Sequence, residues 1–297
     1  PVPGALVVSG LLFETKGVSE AARLTLAGLR RAGFSPIAHD VRALLATGPG
    51  ARTPLPGRGG VWLLHVNAPE ALYALACADP DDWRERYRIG FWAFELSTAP
   101  ASWARAAKAF DEIWVPSRFV AGALRASGVV APIRVMPHPA ALGLEGAKAD
   151  RPGFGLPADA FCVLAAGDFD SSATRKNLEG AIEAFRMAFG EDPGAHLIVK
   201  TQGGASHPRA RSRAEAACAG CANIRWLPDT LDKGRLDSLI ASCDLVLSPH
   251  RSEGFGLVLA EAFLLGAPAL ATGYSGNLDF MADLPELLIA SRPTPVR

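Results

Sequence analysis

A strand, loop, helix and strand pattern near the C-terminus constrains the fold of this chain more than any other feature. Residues 243–249 (CDLVLSP) form an apolar run that predicts a buried strand, and a short polar loop follows it. LVLAEAFLLG then predicts a helix that ends at Gly266, and APALAT predicts a second buried strand. Such units build parallel sheets. The loop therefore lies at the carboxyl end of a strand, where open α/β sheets bind ligands.

This loop combines an anion site with two carboxylates. Gly254 and Gly256 let the backbone approach a ligand closely, and the amides of residues 255–257 would lie at a helix N-terminus, which suits phosphate. Glu253 and Glu261 flank the anion site with seven residues between them. Because carboxylates accept hydrogen bonds from hydroxyl groups, the pattern predicts a ligand that is part phosphate and part sugar. The alternative is an ordinary Rossmann-like helix with two surface glutamates.

Composition limits the function classes. The 297 residues suffice for two domains. The 30 basic residues balance 30 acidic ones, so the net charge does not favour binding to nucleic acid or to an anionic membrane. The five cysteines are scattered, which predicts free thiols in a reducing, cytoplasmic compartment. We see no signal peptide and no apolar run of the roughly 18 residues that a membrane span needs. Peripheral contact with the inner membrane face stays open.

Strand and helix patterns alternate along the first half of the chain. Residues 5–10 predict a strand, a loop with Gly17 follows, and residues 19–33 predict a helix. The alternation continues to residue 139 and predicts a parallel sheet with helices on both faces. The fingerprint GxGxxG is absent, so we do not predict a dinucleotide site. Residues 42–60 are rich in Gly, Pro and Arg and predict a flexible surface loop.

Polar and aromatic residues at strand ends of this half suit the binding of a sugar ring. Trp92 and Glu95 follow one predicted strand, and a sugar ring can stack on an aromatic face while it bonds to a carboxylate. His65 ends another predicted strand, and Gly17 lies in the first loop. The alternatives are core aromatic residues with a capping glutamate, and an ordinary strand-to-helix connection around Gly17.

A linker with little periodicity divides the chain near residues 140–157. We therefore predict an N-terminal domain at 1–145 and a C-terminal domain at 146–297. In the second half, Arg175 and Lys176 follow a predicted strand and Lys200 ends the next one. Carboxyl ends of parallel strands share one edge of the sheet, so these cations would meet the phosphates of a ligand near the glycine loop. The alternative for Arg175 and Lys176 is a solvated helix start.

Several stretches carry a family resemblance. SEGFGLVLAEA resembles the E-x7-E signature of retaining family 4 glycosyltransferases with the GT-B fold. FDSSATRKNLEGAIEAFRMAF, IVKT and GFWAFELSTAPASW are similar to a bacterial branch of mannosyltransferases of surface-polysaccharide biosynthesis. The similarity covers most of the chain and is strongest from Phe169 onward. It implies an α/β protein with two Rossmann-like domains whose parallel sheets face a central cleft.

The resemblance also implies an activity and residue roles. A sugar, mannose by the branch, would pass from a nucleoside diphosphate sugar to a glycan or lipid-linked acceptor, with retention and without a metal or other cofactor. Glu253 would face the donor sugar and Glu261 the ribose hydroxyls. The implied catalytic residues are Glu253, Lys176 and Glu95. The implied donor-binding residues are Arg175, Lys176, Lys200, Gly254, Phe255, Gly256, Leu257 and Glu261, and the acceptor-side residues are Gly17, Trp92 and His65.

Two departures from the family pattern affect this assignment. Many relatives have a Gly-Arg pair after the first strand of the C-terminal domain, whereas Asp168 follows Gly167 here, so Arg175 is the candidate replacement. Many also have a histidine where this chain offers only Glu95. Relatives usually continue with further helices beyond the position of Arg297, and the sequence leaves open whether such helices follow.

The sequence leaves two alternative functions open. One is a nucleotide-sugar epimerase or hydrolase on the same fold, and the other is a non-catalytic sugar-nucleotide binding subunit. Asp168-Phe169-Asp170 matches the DxD motif of metal-dependent transferases, but that motif belongs to a different fold, so we predict no metal site there.

Overall fold

The computed structural model describes residues 3–144 and 146–294. The chain divides into two compact units, one ending at Gly143 and the other beginning at Leu144. Each unit contains one sheet, and the six strands assigned to each among the described residues are all parallel. The predicted α/β class with two Rossmann-like domains is confirmed.

Unit 1 has the strand order β2-β1-β3-β4-β5-β6. Its strands are β1 (Leu6–Gly10), β2 (Ile37–Asp40), β3 (Val61–His65), β4 (Tyr87–Phe91), β5 (Glu112–Val115) and β6 (Ile133–Val135). Its helices are α1 (Gly17–Arg31), α2 (Val41–Leu45), α3 (Ala68–Cys77), α4 (Pro80–Trp83), α5 (Ala101–Ala107) and α6 (Arg118–Ala126). A short 3-10 helix follows at Ala140–Gly143.

Alternate residues of each strand in unit 1 supply the two faces of the sheet. Val7 and Val8 are neighbours in β1 and both are fully buried, but they belong to different apolar clusters. Val8 packs with Ala22 and Leu26 of α1, whereas Val7 packs with residues of α2 and α3. A strand that is buried on both faces requires a continuous apolar run, and this explains the sequence LVVSG.

The stretch predicted as a flexible loop at residues 42–60 is more ordered than expected. Val41–Leu45 forms α2, so the prediction of a loop is wrong there. Beyond α2, the fully buried guanidinium of Arg86 donates to the carbonyl oxygen of Gly57 at 2.9 Å, and the Asp82 carboxylate accepts from the amide of Leu55. The partners of this loop lie about 30 positions away in sequence, so the composition of the loop itself could not predict these contacts.

Unit 2 has the strand order β12-β11-β10-β7-β8-β9. Its strands are β7 (Phe161–Asp168), β8 (Ala195–Gln202), β9 (Ile224–Leu227), β10 (Leu245–Ser248), β11 (Ala269–Thr272) and β12 (Leu288–Ile289). Its helices are α7 (Ala173–Lys176), α8 (Leu178–Phe189), α9 (Pro208–Cys218), α10 (Lys233–Ala241), α11 (Leu257–Leu264) and α12 (Leu278–Met281). Short 3-10 helices lie at Pro152–Phe154, Phe169–Ser171 and Pro285–Leu287.

The sheet of unit 2 separates two apolar clusters in the same way. Cys162 and Leu164 of β7 face α10 and α11, while Val163 and Ala165 face α8. Because the strands are parallel, the loops after β7, β8, β9 and β10 all leave the sheet at its carboxyl edge.

Among residues 3–144 and 146–294, no helix combines the length and the apolar character needed to cross a membrane.

Candidate active site

The loop between β10 and α11 forms the centre of the candidate site. Gly256 caps α11 with φ of 90° and ψ of 52°, a left-handed conformation that glycine adopts without strain. The amides of Leu259 and Ala260 donate to the carbonyl oxygen of Gly256 at 2.9 and 3.1 Å, so the amides of Leu257 and Val258 precede the first backbone hydrogen bonds of α11. The ring of Phe255 packs on Phe280 with centroids 5.3 Å apart. The N-terminus of α11 therefore lies at the carboxyl edge of the sheet in unit 2.

Arg175, Lys176 and Glu253 come together as one cluster, which we call the phosphate-side cluster. The Nζ atom of Lys176 lies 2.6 Å from Oε1 of Glu253, and Nη1 of Arg175 lies 3.1 Å from Oε2. Nη1 of Arg175 also donates to the carbonyl oxygen of Ser252 at 2.8 Å. These cations are separated from Glu253 by 77 or more positions in sequence, and the shared carboxyl edge of the parallel sheet brings them together.

Charge explains how Glu253 is tolerated in a buried position. Burial raises the pKa of Glu253, but the charges of Lys176 and Arg175 outweigh that effect and lower the pKa to about 2. Glu253 is 7% exposed and is an anion throughout the physiological range. Two cations face one carboxylate, so the phosphate-side cluster keeps one positive charge in excess.

Local backbone geometry places the two cations in the connection between β7 and α8, where the sequence predicts them. Arg175 and Lys176 lie in the last turn of the short helix α7, and not at the start of α8. Asn177 then adopts φ of 55°, which separates α7 from α8. A cation is favoured at a C-terminal turn and disfavoured at an N-terminal one. The break at Asn177 thus allows two adjacent cations at a strand-to-helix connection.

Hydrogen bonds to backbone carbonyl groups tie the loop after β7 to the loop after β10. The amide of Arg251 donates to the carbonyl oxygen of Arg175 at 2.8 Å, and Nδ2 of Asn177 donates to the carbonyl oxygen of Pro249 at 2.8 Å. Nε of Arg251 donates to the carbonyl oxygen of Thr174 at 3.0 Å. The position of Lys176 relative to Glu253 is therefore fixed by main chain as well as by charge.

A third loop, between β11 and α12, supports Glu253 from the other side. The amide of Glu253 donates to Oγ of Ser275 at 2.7 Å, and its carbonyl oxygen accepts from the amide of Gly276 at 2.9 Å. A Cβ atom on Gly276 would lie 2.2 Å from the carbonyl oxygen of Gly254, so only glycine fits there. His250 is buried, which lowers its pKa, and its Nε2 donates to the carbonyl oxygen of Tyr274 at 3.2 Å.

Glu261 lies in the second turn of α11 and is 2% exposed. Its Oε1 is 3.1 Å from Nζ of Lys233, the first residue of α10. The same Nζ contacts Oδ1 of Asp237, which is also 2% exposed. We call these three residues the ribose-side cluster. One ammonium group thus contacts carboxylates of two helices.

Lys200 does not join the phosphate-side cluster through any contact among the described residues. It is 4% exposed, and Nζ donates to Oε1 of Gln202 at 3.1 Å. Burial lowers the pKa of Lys200, while the charges of Asp168 and Asp229 oppose that effect. Asp168 also accepts from Nε2 of Gln202 at 2.8 Å. The residue found in place of the family arginine thus contributes to the surroundings of Lys200.

The acceptor-side candidates of unit 1 occupy different environments. Trp92 is fully buried and packs edge-to-face on Trp103 and Phe110, so its ring has no face open to a sugar and Trp92 is a core residue. Glu95 lies in the loop after β4 and is part-buried. Gly17 is the exposed first residue of α1. Successive residues of β4 face opposite sides of the sheet. Trp92 directly follows β4, continues this alternation and packs in the apolar cluster on the side opposite to Phe91.

His65 lies at the carboxyl end of β3 and is 5% exposed. Its ring stacks on Phe91 with centroids 4.1 Å apart, and Phe91 stacks on His138 at 5.4 Å. Burial and then the charge of His138 lower the pKa of His65 to about 3, so the ring is neutral at physiological pH. His65 therefore offers a neutral imidazole at the carboxyl edge of unit 1.

No group of three or more His, Cys, Asp or Glu side chains is arranged to bind a metal ion within residues 3–144 and 146–294. Oδ1 of Asp168 accepts from the amide of Asp170, and Asp170 pairs with His207 at 3.3 Å. The DxD sequence is thus a local turn whose carboxylates have protein partners.

Comparison with solved structures identifies the fold. HepE from Anabaena, solved with UDP-glucose, is 14% identical with a TM-score of 0.66, covering 93% of this chain and 82% of HepE. Trehalose 6-phosphate synthase from Burkholderia multivorans is 13% identical with a TM-score of 0.59, covering 92% of this chain and 66% of the synthase. TarM from S. aureus is 14% identical with a TM-score of 0.54, covering 74% and 43%. These proteins share the GT-B fold.

This chain spans 62% and 60% of the length of two further trehalose-6-phosphate synthase structures. A search of curated proteins gave no significant match. Residues 118–292, more than half of the chain, match the family described as "Family 4 Glycosyltransferase in conflict systems". The chain therefore belongs to this family, which confirms the predicted resemblance to family 4 glycosyltransferases.

Proposed function

We propose that this glycosyltransferase transfers a sugar from a nucleoside diphosphate sugar to a glycan or lipid-linked acceptor with retention at the anomeric carbon. The phosphate-side cluster is the observation that carries this proposal. It places two cations and the N-terminus of α11 beside a buried carboxylate that is ionised at physiological pH. Mannose is the sugar that the sequence resemblance suggests, and HepE was solved with a UDP-sugar donor.

The charge distribution along α11 suits the two ends of a nucleoside diphosphate. The phosphate-side cluster precedes the helix and has an excess positive charge, which favours a diphosphate. Glu261 of the ribose-side cluster lies in the second turn, and a carboxylate there can accept hydrogen bonds from hydroxyl groups. We assign the diphosphate to Lys176 and the amides after Gly256, the donor sugar to Glu253, and the ribose to Glu261.

Transfer would break the bond between the anomeric carbon and a phosphate oxygen of the donor. Lys176 and Arg175 would stabilise the negative charge that develops on the departing diphosphate. Electrostatic stabilisation of this kind is usually the largest single contribution to catalysis. The acceptor oxygen would form the new bond on the same face of the sugar, and its proton would pass to the leaving phosphate. Glu253 is paired with cations at both oxygens, so we assign it to binding rather than to covalent catalysis.

A thermal-shift panel of GDP-, UDP-, ADP- and dTDP-sugars tests the donor site. A ligand that binds only the folded protein stabilises it by about 2.7 kcal/mol at a free concentration of 100 times its Kd. We expect at least one member of the panel to raise Tm. If none of the four raises Tm at millimolar concentration, the assignment of a nucleotide-sugar site is wrong.

Product analysis with the donor found by the panel separates transfer from related activities. A transferase requires an acceptor and releases free nucleoside diphosphate, and NMR of the product reports the anomeric configuration. An epimerase or hydrolase would convert the donor alone, and a binding subunit would shift Tm without turnover. An inverted anomeric centre would contradict the retaining mechanism.

Transfer is expected to continue in the presence of EDTA with less than about a twofold change in rate. Lys176 and Arg175 already provide positive charge on the phosphate side of Glu253, which is the role that a divalent cation performs in other transferases. The measurement is the rate of nucleoside diphosphate release with and without chelator. A loss of activity that is restored by Mg²⁺ or Mn²⁺ would show that these cations do not suffice.

A further inference from the structure

Ser275 adopts a backbone conformation that a residue with a side chain disfavours. It lies in the loop between β11 and α12, and its φ is 81°, in the left-handed region that glycine enters freely. Such conformations persist only where the surrounding structure enforces them, and they concentrate at functional sites. Ser275 is also buried, so its conformation is set by contacts within the protein.

Hydrogen bonds at both ends hold the loop between β11 and α12 in this conformation. Nδ2 of Asn277, a fully buried residue, donates to the carbonyl oxygen of Thr272 at 3.0 Å and closes the loop. The amide of Leu278 donates to the carbonyl oxygen of Ser275 at 3.2 Å. Gly276 has no room for a Cβ atom beside the main chain of the glycine loop. These contacts enforce the left-handed φ of Ser275.

The hydroxyl group of Ser275 reaches back to the main chain of Glu253. Its Oγ accepts from the amide of Glu253 at 2.7 Å and donates to the carbonyl oxygen of Tyr274. The amide of Gly276 donates to the carbonyl oxygen of Glu253 at 2.9 Å. Both backbone polar groups of Glu253 are therefore bonded to successive residues of a loop about 22 positions later in the sequence.

The direction of this hydroxyl depends on the strained backbone. The value of φ at a residue sets the direction in which its Cβ atom leaves the chain, so a right-handed conformation would point the Ser275 side chain elsewhere. The main chain of Glu253 in turn determines where its carboxylate can lie, and that carboxylate is 2.6 Å from Nζ of Lys176. Functional side chains are held precisely when supporting hydrogen bonds of this kind fix them.

We propose that Ser275 is a positioning residue for the donor sugar: its left-handed backbone directs its hydroxyl group to the amide of Glu253 and thereby fixes the carboxylate that faces the sugar. This inference rests on the proposed function, because it needs a sugar at Glu253. Two effects oppose each other at this position. The backbone conformation lowers stability, whereas the hydrogen bond that it allows improves the placement of Glu253.

Ser275→Gly separates these two effects, because glycine adopts this φ without strain and has no hydroxyl group. Calorimetric titration of the full chain would use the nucleotide-sugar that the donor panel identifies and the same nucleoside diphosphate without its sugar. We expect affinity for the nucleotide-sugar to fall about fivefold or more, as for the loss of one hydrogen bond. Affinity for the bare diphosphate should stay within about twofold, because Lys176 and the start of α11 bind it.

Three further variants make the result specific. Ser275→Ala loses the same hydroxyl and keeps the strain, so its Tm should lie below that of Ser275→Gly. Ser275→Thr keeps a hydroxyl but adds a β-branched side chain at positive φ, so it should retain more nucleotide-sugar affinity than Ser275→Gly at a lower Tm. Arg52→Gly is the matched control, because Arg52 is exposed in unit 1 and also has a positive φ of 54°. It should leave both affinities at the wild-type values.

Each outcome decides between the proposals. Wild-type affinity of Ser275→Gly for the nucleotide-sugar would contradict the inference and leave the donor site in place. Equal weakening of the nucleotide-sugar and the bare diphosphate would show that Ser275 has only a structural role, which also contradicts it. A wild-type protein that binds neither ligand would overturn the proposed function and this inference with it.

Discussion

Replacing Lys176 with alanine is expected to lower the rate of glycosyl transfer by about two orders of magnitude or more, since removal of one placed donor that stabilises developing charge costs roughly 3–4 kcal/mol in the transition state. Nζ of Lys176 lies 2.6 Å from Glu253, within the phosphate-side cluster. Arg175 remains to pair with Glu253 in this variant, so we expect the fold to persist. The measurement is kcat with the donor that the panel identifies.

Lys148→Ala is the matched control for this variant. It removes the same charge from an exposed position of unit 2 and should leave kcat unchanged. Circular dichroism and Tm establish that both variants are folded. Turnover of Lys176→Ala within about threefold of the wild type would remove Lys176 from the catalytic residues, because one lost charge-stabilising contact predicts a much larger effect.

Replacing Glu253 with glutamine is expected to reduce both turnover and stability. The variant leaves Lys176 and Arg175 without their shared carboxylate, and removing one partner of a buried ion pair costs roughly 3–5 kcal/mol. It also removes the carboxylate that we assign to the donor sugar, so transfer should fall about 100-fold or more. Denaturant unfolding at pH 7 measures the first effect and kcat measures the second.

The stability effect of Glu253→Gln should depend on pH in a defined direction. The pKa of Glu253 is about 2 in the folded protein, below the ordinary value of 4.5. Its charge therefore contributes stability above pH 4.5, and this contribution, roughly 3 kcal/mol, is lost as pH falls toward 2. The difference between wild type and variant in the free energy of unfolding should be constant from pH 7 to 5 and shrink below that.

An exposed glutamate provides the comparison for this pH series. Glu191 lies on the surface of unit 2, and Glu191→Gln should give the wild-type stability at every pH. A difference between wild type and Glu253→Gln that stayed constant down to pH 3 would mean that the carboxylate is not held ionised by its two cations.

Local spacing in the sequence predicts the backbone structure of the candidate site. The glycine loop and the start of α11 follow from residues that are neighbours in the chain. The approach of Arg175 and Lys176 to Glu253 follows from the rule that parallel strands share a carboxyl edge. Neither step required knowledge of a contact between specific side chains.

Other parts of the site depend on contacts that the sequence does not encode locally. Lys233 is 28 positions from Glu261, and their contact follows only from the packing of α10 beside α11. Ser275 and Gly276 support Glu253 from a loop that contains no charged residue. Trp92 was predicted on the acceptor side because it follows a predicted strand and lies near Glu95 in the sequence. The packing of Trp103 and Phe110 against its ring places it in the core instead.

The main-chain contacts between the loops after β7, β10 and β11 have a kinetic consequence. Arg251, Asn177 and Gly276 anchor these loops to one another through hydrogen bonds within the protein, so little chain ordering is required when a diphosphate binds. The free-energy cost of ordering loops and side chains is a major reason why a large buried area does not always give high affinity. Donors that differ in base or sugar should therefore associate at similar rates and differ in residence time.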